Sequence, residues 1–75
     1  MKTGSNRIDI VIGARVKARR KELGITQEML GIATGRSFQQ IQKYERGQNR
    51  ISASLLWLIG KILGVPVSYF FDGLE

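Results

Sequence analysis

The stretch Thr26–Gly47, TQEMLGIATGRSFQQIQKYERG, decides the fold. Thr26 is a good helix-capping residue, and Glu28 puts a carboxylate in the first turn, where the helix dipole favours it. Met29, Leu30 and Ala33 are expected to form the buried side of this helix. Gly35 is expected to take a left-handed conformation and end it. Ser37 then opens a second helix with Gln40 three residues on, the S-x-x-Q pattern of a capping box. Ile41 and Tyr44 are expected to face inward, and Gly47 to stop the helix. The stretch therefore reads as two short helices joined by a tight turn. The second helix carries Phe38, Gln39, Gln40, Gln42 and Lys43. So many long polar side chains and an aromatic suit a surface that reads a partner better than one that packs. The expected partner is the base edges of DNA.

Upstream, Met1–Ser5 is expected to be a flexible arm. Asn6 and Asp9 stand at a cap and cap-plus-three spacing, which starts a helix near Arg7. Ile8, Ile12, Val16 and Leu23 fall near one stripe at helical period, Ala14 and Ala18 fill gaps, and Gly24 closes the helix. Ile25 is an apolar plug before the next cap. Gly31 inside a helix costs about 1 kcal/mol against alanine, which points to a close helix approach. Downstream, Gln48–Ile51 is a polar loop and Ser52 caps a fourth helix. Leu55, Leu56, Ile59, Ile62 and Leu63 form a broad apolar stripe there, extended by Trp57 and Leu58. Gly64 ends it, and Pro66 suits the first position of a short fifth helix running to about Phe71. The expected fold class is all-α, with five helices in a single domain over residues 1–75 and an ordered core over about 7–71.

Composition narrows the function. The 75 residues contain no cysteine and no histidine, which rules out a disulfide staple and a Cys/His metal site. The N-terminus lacks the apolar segment of a signal peptide, and no apolar run approaches a membrane span. A cytoplasmic, nucleoid-associated protein is expected. Twelve basic and six acidic residues give a net charge of +6, with +7 in residues 1–50 and −1 in residues 51–75. With a pI near 10.4, this asymmetry suggests one part facing a polyanion and one part that packs. Enzymatic function is poorly supported: of the six carboxylates, Asp9 reads as part of a cap and Glu45 as structural. No metal, cofactor or small-molecule site is evident. RNA binding fits the charge, but no aromatic stacking platform is visible.

The order helix, cap, helix, glycine turn, helix, E-x-G, then a helix ending in L-G-V resembles the lambda-repressor-like helix-turn-helix family, the Xre or Cro/C1 type. IGARVKARRKELGITQ, the glycine of ATGRS, IQKYERG and LLWLIGKILGVPVSYFF carry the resemblance, which covers roughly residues 8–71. It implies a five-helix DNA-binding domain whose recognition helix, Ser37–Arg46, lies in the major groove. It places Phe38, Gln39 and Lys43 at base-contacting positions, with Gln40 and Gln42 beside them. Gln27 matches a glutamine that contacts a phosphate and braces that helix. Arg20 and Glu45 match an internal ion pair. Gly31 and Gly60 stand where the family commonly has alanine. Phe38 stands where a polar reader is common, which favours contact with a thymine methyl there.

Each residue also has a plainer reading. Gln39 bonds adenine bidentately or is a solvated amide, and Lys43 meets guanine or a phosphate. Gln40 is divided between the capping box and base reading. Phe38 either packs under the second helix or meets an apolar group on the base. Arg36, Ser37, Gln42, Arg46, Asn49 and Arg50 flank the reading helix as expected phosphate contacts, and Arg19, with Arg15 and Lys17, is expected to extend that field. Trp57, Tyr69, Phe70 and Phe71 exceed what so small a core holds, so part of this set is expected to form a two-fold dimer patch. The leading function is a sequence-specific regulator of double-stranded DNA, most simply a repressor, acting as a homodimer. A second class is an interaction module, such as the antitoxin of a toxin–antitoxin pair.

Overall fold

Every α-helix of the chain begins on a small polar side chain that caps it. The computed structural model describes residues 6–74; the expected arm Met1–Ser5 lies outside them. The Asn6 carboxamide oxygen accepts from the Asp9 amide and opens α1, Arg7–Glu22. Thr26 Oγ1 accepts from the Met29 amide at 3.0 Å and opens α2, Gln27–Thr34. Ser37 Oγ accepts from the Gln40 amide at 3.1 Å and opens α3, Phe38–Glu45. Ser52 Oγ accepts from the Leu55 amide and opens α4, Ala53–Leu63. Each bond satisfies an amide that the helix itself leaves unpaired. Gly35 and Gly64 end α2 and α4 at φ 72° and 70°, a left-handed backbone that costs other residues a clash at Cβ.

The fifth element differs from the expectation. Val67–Phe71 is a 3-10 helix, not an α-helix. Its bonds run Tyr69 N–H to Pro66 O at 3.0 Å and Asp72 N–H to Tyr69 O at 3.2 Å. Pro66 sits before it as the cap, and the segment is too short to establish the α pattern before Asp72-Gly73. α3 is also one residue shorter at each end than Ser37–Arg46, because both of those residues are caps.

α1 packs on α3 and on the terminal 3-10 turn, while α2 packs on α3 and α4. The core they enclose is Ile12 and Val16 of α1, Leu30 of α2, Ile41 of α3, Leu55, Leu56, Ile59 and Leu63 of α4, and Phe70. Tyr44 and Ile62 pack against it half-buried. The expected stripes are narrower than their apolar content suggested. On α1, Ile8, Ala14, Ala18 and Leu23 are exposed; on α2, Met29 and Ala33 are exposed; on α4, Trp57 and Leu58 face outward. A short helix touching two neighbours buries only the residues on its inner line.

Glycines set the spacing between elements. A Cβ on Gly31 would stand 2.5 Å from the Arg36 carbonyl oxygen, so this glycine admits the turn between α2 and α3 rather than a separate helix. Gly13, which the pattern left unremarked, lies where α1 crosses the end of α3. A Cβ there would run into the carbonyl oxygens of Tyr44 and Glu45 and come within 2.9 Å of the Glu45 carbonyl carbon. Alanine in a helix interior normally gains about 1 kcal/mol over glycine, and here steric overlap with backbone reverses the sign. Gly13→Ala is expected to destabilise the fold by about 1–3 kcal/mol in urea titration; a variant as stable as the parent would show that α1 and α3 are not in fixed contact.

Candidate nucleic-acid interface

α3 is held from behind and left bare in front. Behind it, Ile41 is buried and Glu45 sits 6% exposed. The Glu45 carboxylate accepts from Arg20 Nε at 2.6 Å and from Arg20 Nη2 at 3.0 Å, a forked pair, and from Gln27 Nε2 at 2.9 Å. Arg20 Nη1 donates to the Ile25 carbonyl at 2.8 Å. One carboxylate thus ties α1, the first residue of α2 and the last residue of α3. Forked arginine–carboxylate bonds fix orientation as well as distance, so α3 has one pose relative to its neighbours.

In front, Phe38, Gln39 and Lys43 are exposed, and Gln42 is half-buried. The side chains of Gln39, Lys43 and Arg46 have no hydrogen-bond partner among the described residues. Gln40 departs from its expected capping role. Ser37 takes the Gln40 amide, but the Gln40 side chain donates instead to Asn49 Oδ1 at 3.4 Å. The reciprocal half of a capping box occurs one helix earlier, where the Thr26 amide donates to Met29 Sδ at 3.5 Å. Asn49, half-buried, is therefore tied to α3.

The arginines divide into two groups. Arg36 is exposed beside Ser37, with Nη1 donating to the Thr34 carbonyl at 3.1 Å. Arg50 is exposed and paired with Asp9. Arg46 faces solvent at the end of α3. Arg19 and Arg15 do not join them. Arg19 Nε donates to the Leu63 carbonyl at 2.9 Å, and its Nη1 pairs with Glu22. Arg15 Nε donates to the Asp72 carbonyl at 3.2 Å and lies over the Tyr69 ring. Both cover carbonyls at the C-terminal ends of other elements, where a helix end favours positive charge. Spacing along α1 does not reveal these partners, because they lie more than 40 residues away in sequence.

Sequence reading missed a cleft. Met29 and Ile32 of α2 line it with Ser37, Phe38 and Gln39, and its volume is about 470 Å³. Ile32 is 82% exposed. Phe38 therefore neither packs under α2 nor stands alone: with Met29 and Ile32 it forms the apolar part of a cleft whose rim also carries Thr26, Glu28 and Arg36.

The C-terminal aromatics separate clearly. Phe70 is fully buried and belongs to the core, not to a patch. Tyr69 is half-buried, edge-on to Phe70. Trp57 is 57% exposed, with Lys61 over its ring, and Phe71 is exposed beside a groove lined also by Ile8, Ile51, Ala53 and Val67. Ala53, which lines that groove, and Trp57 share a face of α4 at i, i+4 spacing. Among the described residues no helix is long and apolar enough to cross a membrane.

Two helices joined through a left-handed glycine, the second anchored on its inner side and bare on its outer side, define a helix-turn-helix. Residues 16–70 match the family model described as Helix-turn-helix, HTH_3. An uncharacterized HTH-type transcriptional regulator of Sinorhizobium medicae is 57% identical over 67 residues, 89% of this chain and 48% of the relative. The P22 c2 repressor protein, solved in complex with synthetic operator 9T, superposes with a TM-score of 0.75 at 34% identity, covering 83% of this chain and 94% of that one. The clp gene regulator ClgR of Corynebacterium glutamicum superposes with a TM-score of 0.83 at 26% identity, covering 88% of this chain and 70% of that one. The chain belongs to the lambda-repressor-like, Xre-type helix-turn-helix family. It spans about half the length of the first curated relatives it matches.

The buried pair is the structural prediction of this site. Glu45→Ala leaves Arg20 buried without its carboxylate and is expected to cost about 3–5 kcal/mol. Replacing both partners together by apolar residues of similar volume is expected to cost much less. Chemical denaturation of the single and double variants measures both; a double variant as unstable as the single one would contradict the assignment.

Proposed function

We propose that this chain binds double-stranded DNA sequence-specifically and acts as a repressor, with α3 in the major groove. The carrying observation is the division of α3: Ile41 and Glu45 fix one side, while Gln39 and Lys43 stand free on the other, with Phe38 exposed at the helix start beside the cleft. A helix held this way presents donors, acceptors and an apolar ring to base edges without first losing the entropy of ordering itself. Gln39 pairs with adenine and Lys43 with guanine or an adjacent phosphate. Phe38 meets a thymine methyl at the mouth of the cleft. Gln27, Arg36, Ser37, Gln42, Arg46, Asn49 and Arg50 take phosphates on either side. The likeness to a repressor solved on its operator supports this reading.

The test begins with selection of bound sites from random duplex DNA. On the selected site, Gln39→Ala is expected to cost about 1–3 kcal/mol of affinity and to relax preference at one base pair. Arg46→Ala is expected to weaken binding to all sequences and to lower the salt slope by about 0.9. Replacing thymines by uracil, which deletes only the methyl, is expected to weaken the parent protein and leave Phe38→Ala unaffected. Selection that returns no motif, with Gln39→Ala and Arg46→Ala binding as the parent does, would reject the reading.

The active form is a two-fold dimer that joins through Trp57 and Phe71. Two exposed rings on so small a domain are costly in water, and a two-fold pair sets its recognition helices about 34 Å apart, one turn of DNA. Sedimentation velocity is expected to show a dimer, at least on DNA, that Trp57→Ala weakens. A monomer both free at high concentration and on DNA would overturn it.

A further inference from the structure

We propose that Asp9 is a positioning residue that holds the Arg50 guanidinium for a DNA phosphate; the inference rests on the DNA-binding reading above. The segment between α3 and α4 is strung between two elements. On one side, Gln40 Nε2 donates to Asn49 Oδ1, so the loop hangs from the reading helix. On the other, Gly47 passes so close to α1 that a Cβ there would stand 2.8 Å from the Ile10 Cα. Arg50 closes this arrangement. Its Nε donates to Asp9 Oδ2 at 3.2 Å, with the arginine side chain 51% exposed and the aspartate side chain 6% exposed.

The asymmetry of that pair carries the inference. A pair with both partners exposed contributes little, and a pair with both partners buried must first offset a large desolvation cost. Here the carboxylate is buried at the start of α1 while the cation stays half in solvent. A guanidinium is a rigid planar fork. With Nε bonded to Asp9 the guanidinium is tethered along that edge, and the remaining N–H groups have no other partner among the described residues. They stay half in solvent one residue beyond Asn49, where Arg50 and Asp9 line the same groove as Ile51 and Phe71. Forked donors match a phosphate, and a prearranged one spares the entropy of immobilising a long side chain on binding. Asp9 is thereby drawn into the DNA interface without touching DNA.

Charge and position make opposite forecasts for one substitution, which makes the proposal testable. Asp9→Asn raises the net charge by one, so bulk electrostatics alone tightens binding to a polyanion. Loss of positioning weakens it. The experiment measures affinity of the full chain for a duplex obtained by selection, over a series of salt concentrations, for the parent, Asp9→Asn, Arg50→Ala and the double variant, with thermal melts of each. Asp9→Asn is expected to weaken binding about threefold or more and to lower the salt slope by up to about 0.9, the share of one phosphate. In the Arg50→Ala background it is expected to add nothing, since the two residues act as one unit. Tighter binding by Asp9→Asn, or losses that add in the double variant, would overturn the proposal. Should Asp9→Asn not fold, Arg50→Lys serves: it keeps the charge but not the fork, so binding falls toward that of Arg50→Ala, and binding equal to the parent overturns the proposal. A parent protein that binds no duplex refutes the DNA reading itself; a parent that binds while Arg50→Ala matches it refutes only the role given to Arg50 and Asp9.

Discussion

The carboxylate of Glu45 is the constraint on which the rest of the structure depends. It lies at the last residue of α3 and receives three hydrogen bonds, two from Arg20 of α1 and one from Gln27 of α2. Burying one charge costs several kcal/mol unless every lone pair is used. The geometry here leaves little unused, and no buried side-chain polar atom among the described residues lacks a partner. The consequence is mechanical. α2 and α3 cannot rotate about the Gly35 turn without breaking a bond to Glu45, so the turn region behaves as one body with α1. Apolar packing by Ile41 and Leu30 holds α3 close, but apolar contact does not specify direction; the forked pair does.

Close approach of backbones is the second condition. Arg20 reaches Glu45 because α1 crosses the end of α3 at Gly13, where even a methyl group meets carbonyl oxygens. The same economy appears at Gly31, against the Arg36 carbonyl, and at Gly60, where a Cβ would stand 2.8 Å from the Val65 carbonyl oxygen. A glycine inside a helix weakens that helix, and in a domain of this size the loss is offset by the tighter seating of its neighbours. The two departures from alanine at Gly31 and Gly60 therefore belong to the turns that follow α2 and α4, not to faces between helices.

What could be read from the sequence was local. Caps at Asn6, Thr26, Ser37 and Ser52 and stops at Gly24, Gly35, Gly47 and Gly64 depend on a few adjacent residues, and all of them stand as expected. Four helices and the turn region follow from these. The partition of apolar residues was less legible, since period alone does not say how wide a buried stripe is. Met29 and Ile32 face solvent, and Phe70, not Phe71, fills the core. The partners of long basic side chains were least legible. Arg15, Arg19 and Arg50 carry the same charge within the basic part of the chain, yet Arg15 and Arg19 turn to distant carbonyls and Arg50 to Asp9. Such bonds depend on where chain ends meet in space, which the spacing of charges along a helix does not encode.

This sorting changes how the basic character of the chain is understood. Net charge suggests a diffuse field around residues 1–50, yet much of the charge on α1 is engaged inside the protein, in Arg15, Arg19 and Arg20. The cations left free or half-free near α3 are Arg36, Lys43, Arg46 and Arg50, and they follow the short path from the start of α3 to the loop after it. A concentrated line of charge orients a polyanion, whereas a spread field only attracts it. Beside those cations Phe38 and Gln39 are exposed, and neither contributes to the core. Changes at Phe38, Gln39 and Lys43 therefore leave the anchored side of the helix, through Ile41 and Glu45, the same. On the proposed reading, stability rests on the Ile41 and Glu45 side of this two-turn helix and recognition on the side of Gln39 and Lys43.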